Sequence, residues 1–104
     1  MGLFDFLKTN DINAMVANKT ADTVLVDVRE QDEFSSGHIP GAVNVPLSGL
    51  EQAELPWDKA SSLYVYCLSG ARSGRAVRYL QSRGYSNVKN VGGINAWIGQ
   101  VEKG

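Results

Sequence analysis

The chain has a single cysteine, Cys67, and a single histidine, His38. One thiol cannot form an internal disulfide, and one Cys with one His falls short of the three or four N/S ligands of a zinc site, so neither a metal nor a cofactor is expected. Long apolar runs are missing too. Nothing approaches the ~18 consecutive apolar residues of a membrane span, which sets membrane insertion aside. Residues 1–8 (MGLFDFLK) are partly apolar, but Asp5 interrupts them, no basic segment precedes them and no small-residue cleavage site follows, unlike a signal peptide. Phe6 stands where a myristoylation pattern on Gly2 needs Ser or Thr. A cytoplasmic location is the resulting expectation.

Acidic side chains are absent from residues 59–101, which hold six bases: Lys59, Arg72, Arg75, Arg78, Arg83 and Lys89. Residues 1–58 carry ten acids and three bases, so the formal charge of −1 conceals two halves of opposite sign. The positive half contains the thiol. Such surroundings favour a small anionic substrate and stabilise a thiolate. Nucleic acid is a poorer fit, because the bases are spaced singly with no aromatic stacking platform among them.

With 104 residues, 43% of them hydrophobic and 20% charged, the chain fits one domain over residues 1–104, and a monomer is expected. Residues 10–18 read as a short helix capped by Asn10 or Asp11, with Ile12, Met15 and Val16 on one face; a short edge strand is expected before it. Thr23–Val28 is β-branched and apolar on both faces, as in a central parallel strand. Residues 30–36 follow as a helical turn, then a Gly/Pro loop from Gly37 to Ala42 and a brief strand, Val43–Val45. Two helical turns are expected within 47–60. Leu63–Tyr66 is a second buried strand, Ser73–Arg83 an amphipathic helix stopped by Gly84, and Asn87–Val91 a third buried strand. Gly92-Gly93 reads as a turn, and Ile94–Ile98 as a last helix anchored by Trp97. Strands alternating with helices imply a doubly wound parallel α/β sheet of about four or five strands with helices on both faces.

Cys67 stands between a strand and a helix, in the segment Cys67-Leu-Ser-Gly-Ala-Arg-Ser73. Ligands of such sheets sit at the carboxyl ends of strands, and a helix start aims N–H groups and a dipole at whatever lies there. A thiol so placed tends toward the thiolate. The plainer reading of a lone cysteine is a small buried hydrophobe, and the glycine, arginine and serine that follow in the segment argue against it here. Gly70 permits a positive φ. Arg72 supplies a cation, Arg75 follows one helical turn later, and Ser73 serves as helix cap, loop brace or both.

Three separated segments resemble the rhodanese-like sulfurtransferase family. They are Leu25-Val-Asp-Val-Arg29 with Glu33-Phe34; Gly37-His-Ile-Pro-Gly-Ala-Val-Asn-Val-Pro46; and Tyr64 through Cys67, Gly70, Arg72 and Ser73 to Gly92-Gly93 and Ala96-Trp97. In order and spacing they match single-domain members over about residues 10–98. The resemblance implies that Cys67 attacks the outer sulfur of a donor such as thiosulfate, carries it as a persulfide, and passes it to an acceptor such as cyanide, a thiol or a protein. It implies that Leu68, Ser69, Gly70, Ala71, Arg72 and Ser73 form the loop that cradles that sulfur. Asp27 and Arg29 are expected as supporting residues, pairing with each other, with the loop or with Glu33. His38 matches a structural histidine, and Trp57 is expected in packing or at a pocket rim.

Two other functions compete. Phosphatases and arsenate reductases of related fold place five residues between cysteine and arginine, and here only four intervene, which shortens the loop by up to about 3.3–3.6 Å of contour. A regulatory or sulfur-carrying module is the second, yet inactive members commonly lack the cysteine. The loop interior, Leu68, Ser69 and Ala71, is uncharged, unlike thiosulfate-specialised members, so the donor stays open. With no second thiol, the sulfur must leave to an external acceptor.

Overall fold

The structure, a computed structural model, describes residues 11–104; the edge strand expected before residue 10 lies outside them. Four parallel strands form one sheet in the order β2-β1-β3-β4, with β1 Val24–Asp27, β2 Val43–Asn44, β3 Leu63–Cys67 and β4 Val88–Gly93. Among the described residues three α-helices accompany them: α1 Ile12–Asn18, α2 Gln31–Ser36 and α3 Ala71–Ser82. This is the doubly wound α/β arrangement expected, with two separate cores. On one face Ala76 and Leu80 of α3, with Leu50, pack on Val26, Leu63, Val65 and Cys67. On the other, Ile12 of α1 and Ile39 cover Leu25, Tyr66 and Val91. The two sets alternate along β1 and β3 because successive strand side chains point to opposite faces. Each fully buried aliphatic side chain stabilises the fold by about 1.5–3 kcal/mol.

From β1 the chain moves outward to β2, and from β3 it moves outward in the other direction to β4. The crevice at the carboxyl ends of β1 and β3 is therefore the switch point at which such sheets bind ligands. Asp27 ends one of these strands and Cys67 the other.

Local chemistry sets the element ends. Asp11 caps α1, its carboxylate accepting from Asn13 N–H at 3.0 Å. α3 starts at Ala71, two residues before the expected Ser73, because Gly70 at φ 102° turns the chain into the helix that much sooner. It stops as expected: Gly84, at φ 99°, donates to Gln81 O and Tyr85 N–H to Leu80 O, a Schellman closure. Two expectations needed correction. Gly92 and Gly93 do not form a free turn but pair, as strand, with Tyr66 and Cys67. The helical turns expected within residues 47–60 form as a six-residue 3₁₀ segment, Leu47–Gln52, about two turns long. The last helix shrinks to a 3₁₀ turn, Ile94–Ala96, with Trp97 half-buried against the second core.

Candidate active site

Cys67 is 1% exposed and projects from the end of β3 toward the start of α3. Its Sγ accepts from Gly70 N–H at 3.0 Å and Ser73 N–H at 3.3 Å, with Ser73 Oγ at 3.4 Å. Burial pushes the thiol pKa up, but hydrogen bonds from the Ser73 side chain and from the N–H groups of Ser73, Gly70 and Ser69 outweigh it, so the thiol is held below its ordinary value. The positive φ of Gly70 bends the loop back over the sulfur so that these N–H groups converge.

The seat of the loop is β4. A Cβ on Gly93 would collide with Leu68 O and lie 2.6 Å from Ser69 Cα, so the loop rests directly on bare backbone. Asn95 N–H donates to Leu68 O at 3.1 Å. Asn90 ties three places together: Nδ2 donates to Gly70 O at 3.0 Å, while Oδ1 accepts from Gly92 N–H at 3.0 Å and from Ser73 Oγ at 2.7 Å. Sequence reasoning missed Asn90, Gly93 and Asn95 as site residues. The available signal was a polar Asn two residues after the buried Val88, on the same inward face of the strand, followed by paired glycines.

The charged residues pair among themselves. Arg72 does not point its fork at the sulfur; it grips Glu33 with two bonds of 2.7 and 3.0 Å and couples to the Cys67 charge only through space. Glu33 also accepts from Glu30 N–H at the start of α2, which fixes the carboxylate. Hydrogen bonds from Arg72 outweigh desolvation and bring the Glu33 carboxyl down to about 2. Asp27 and Arg29 pair with each other: Arg29 Nη2 donates to Asp27 Oδ2 at 2.7 Å and to Gly37 O at 2.7 Å, and Nε bridges both carboxylate oxygens. Arg75 is exposed on α3 beside Leu47, Glu51 and Tyr79 and shows no contact with Cys67.

His38 is stacked on Phe34 at 3.7 Å, with Nδ1 2.9 Å from Phe34 O and its backbone bridged to Glu102. Those contacts match the structural role expected of it. Trp57 lines an apolar groove of about 390 Å³ along β2, which none of residues 67–73 lines. The loop has its own shallow cavity of about 340 Å³, bounded by Ser69, Gly70, Asn90, Gly92, Gly93, Asn95 and Ala96, with no charged side chain in its lining. No cluster of three or more metal-ligating side chains exists among the described residues.

A family model described as Rhodanese-like domain matches residues 9–100 of the chain. The chain belongs to the rhodanese-like family. A sulfurtransferase of Allochromatium vinosum is 43% identical over 81 residues, covering 75% of this rhodanese-like chain and 74% of the relative. The thiosulfate:glutathione sulfurtransferase of Saccharomyces cerevisiae is 39% identical over 102 residues, covering 85% and 73%. The crystal structure of a rhodanese-like domain protein from Staphylococcus aureus superposes with a TM-score of 0.76 at 28% identity, over 92% of this chain and 94% of that one. Some relatives are longer: the chain spans 63% and 43% of two Bacillus subtilis proteins to which it is 42% and 37% identical.

Proposed function

We propose that this rhodanese-like chain is a sulfurtransferase that carries a sulfane sulfur as a persulfide on Cys67. The observation that carries the reading is the convergence of N–H donors from Gly70 and Ser73 on a buried thiol at the start of α3. Donors fixed in advance stabilise an anionic sulfur without reorganising. The Cys67 thiolate attacks the outer sulfur of the donor; a bond forms from Sγ to that sulfur, and the donor's own S–S bond breaks, its electron pair leaving as sulfite if the donor is thiosulfate. An external thiolate or cyanide then attacks the outer sulfur, and Sγ departs as thiolate. No side-chain base is required when the attacking group is the thiolate.

Four residues between Cys67 and Arg72 favour a single sulfur over a tetrahedral phosphate. Glu33 supports the same choice, because it occupies both Arg72 nitrogens that a phosphate dianion would need. Delivery to a protein acceptor is a second reading, favoured by Leu68, an apolar side chain 47% exposed beside the thiol.

Treatment with a panel of sulfane donors that includes thiosulfate is expected to add the mass of one sulfur to the intact protein, and Cys67→Ala is expected to abolish the addition. An unmodified wild-type mass with every donor would defeat the proposal. Turnover with cyanide or a small thiol separates an enzyme from a carrier that unloads only onto a protein.

A further inference from the structure

Ser73 Oγ lies 2.7 Å from Asn90 Oδ1 and 3.4 Å from both Cys67 Sγ and Gly92 O. A hydroxyl has one proton and cannot donate fully to all three. The choice between them follows from the way the Asn90 carboxamide points. Its Nδ2 donates to Gly70 O and its Oδ1 accepts from Gly92 N–H, both at 3.0 Å, so turning the amide over would set N–H against N–H and oxygen against oxygen. The oxygen therefore faces Ser73, it can only accept, and 2.7 Å is an optimal O–H···O distance. The Ser73 proton rests on Asn90, and a lone pair of Ser73 faces the sulfur.

That arrangement suits a neutral sulfur and opposes an anionic one. When Sγ is charged, the hydroxyl gains by turning its proton onto it, and Asn90 Oδ1 keeps the Gly92 N–H and is not left unsatisfied. We propose that Asn90 is a positioning residue that holds the Ser73 hydroxyl proton while Cys67 Sγ is neutral and yields it when Sγ is anionic. Its place in the cycle rests on the persulfide reading above. As Sγ bonds to the incoming sulfur, negative charge moves to the outer atom and the Ser73 proton returns to Asn90. As the acceptor takes that sulfur, the electron pair of the broken S–S bond comes to Sγ and the proton turns back. Ser73 is never deprotonated; only the direction of its O–H changes.

The charged groups around the thiol leave this exchange to Ser73 and Asn90. From α3 comes Arg72, held by Glu33 of α2, with Glu30 beside it. From β1 come Asp27 and Arg29, closed on each other. Lys89 of β4 is exposed and precedes Asn90, so it projects from the opposite face of the sheet. None of them hydrogen-bonds to Ser73 Oγ or Asn90 Oδ1.

Because Cys67 is the only cysteine, the rate of thiol alkylation against pH reads its ionisation directly. Asn90→Ala is expected to lower the apparent thiol pKa by about 0.5–1 unit, since the Ser73 proton loses its nearest competing acceptor and the other, the neutral Gly92 O, lies no closer than the sulfur. In a Ser73→Ala background the same substitution is expected to leave the pKa unchanged or raise it. A residue that only braced the loop would do the opposite: loosening Gly70 and Gly92 withdraws N–H donors and raises the pKa in both backgrounds. A rise or no change in Asn90→Ala, or an equal fall in both backgrounds, overturns the proposal. Should Asn90→Ala fail to fold, the carboxamide carbon shift of Asn90 in the unsubstituted protein is expected to follow Cys67 ionisation, and to do so severalfold less in Ser73→Ala; equal titration in the two overturns it. Neither readout needs sulfur transfer, so a chain that never forms a persulfide would defeat the proposed function and leave this test standing.

Discussion

Two neighbouring strands, β1 and β3, end side by side at the crevice, and their last residues, Asp27 and Cys67, are both buried and both carry an acidic group. Asp27 is closed: Arg29 covers both carboxylate oxygens from two residues away, and Nη2 also donates to Gly37 O. Cys67 is open: its partners are backbone N–H groups and one hydroxyl, and the cation of its own loop, Arg72, is spent on Glu33. A full counter-ion satisfies a charge and leaves it nothing further to do. Neutral donors stabilise a charge while leaving the sulfur available to form a bond. The first end is bracing, and the second is where chemistry can occur.

Asp27→Ala leaves the Arg29 guanidinium buried without its partner and is expected to cost about 3–5 kcal/mol in urea unfolding, with little movement of the Cys67 alkylation profile. A large change in thiol reactivity with little loss of stability would reverse the two roles. Gly93→Ala comes next. Its Cβ meets Leu68 O and Ser69 Cα, so the loop must shift, at about 1–3 kcal/mol of overpacking, and the thiol pKa is expected to rise toward its ordinary value as the N–H donors leave. An unchanged alkylation profile would show that β4 is not the seat of the loop.

The smallest effects belong to the surface pair. Glu33→Gln frees the Arg72 charge and is expected to lower the Cys67 pKa by a few tenths of a unit, whereas Arg72→Ala raises it by a similar amount. The acid limb sharpens this assignment. The Glu33 carboxyl is depressed in the fold from 4.5 to about 2, so the stability it contributes is present above about pH 4.5 and is lost as pH falls through about 2. Stability measured between those values should therefore fall less steeply in Glu33→Gln than in the wild type.

The sheet was readable because Thr23–Val28 and Leu63–Tyr66 are too short and too evenly apolar for helices, and because Cys67 follows directly on the second of them. Local signals also placed Asp11 as a cap and Gly84 as a stop. What escaped was set by contacts between distant parts of the chain. Gly92 and Gly93 have the composition of a turn, yet pairing with Tyr66 and Cys67 and the need for a bare surface under Leu68 keep them in the sheet. The grip of Arg72 on Glu33 is hidden as well, because nothing local reveals that a residue 39 positions earlier lies within reach. Asn90 looked like an ordinary strand residue, since its three partners are on a loop, on a helix and two residues further on.

The pairing of β3 with β4 skips Val91, matching Val65 to Asn90 but Tyr66 to Gly92. That one extra residue is what lets Asn90 and the two glycines stand together under the loop. It follows that residues 67–73 are not a portable cassette: transplanted onto another parallel sheet without the irregular strand beside it, the same seven residues would find a side chain where they need empty backbone. The unit that has to be inherited, or copied by a designer, is the loop together with the flaw in its neighbour.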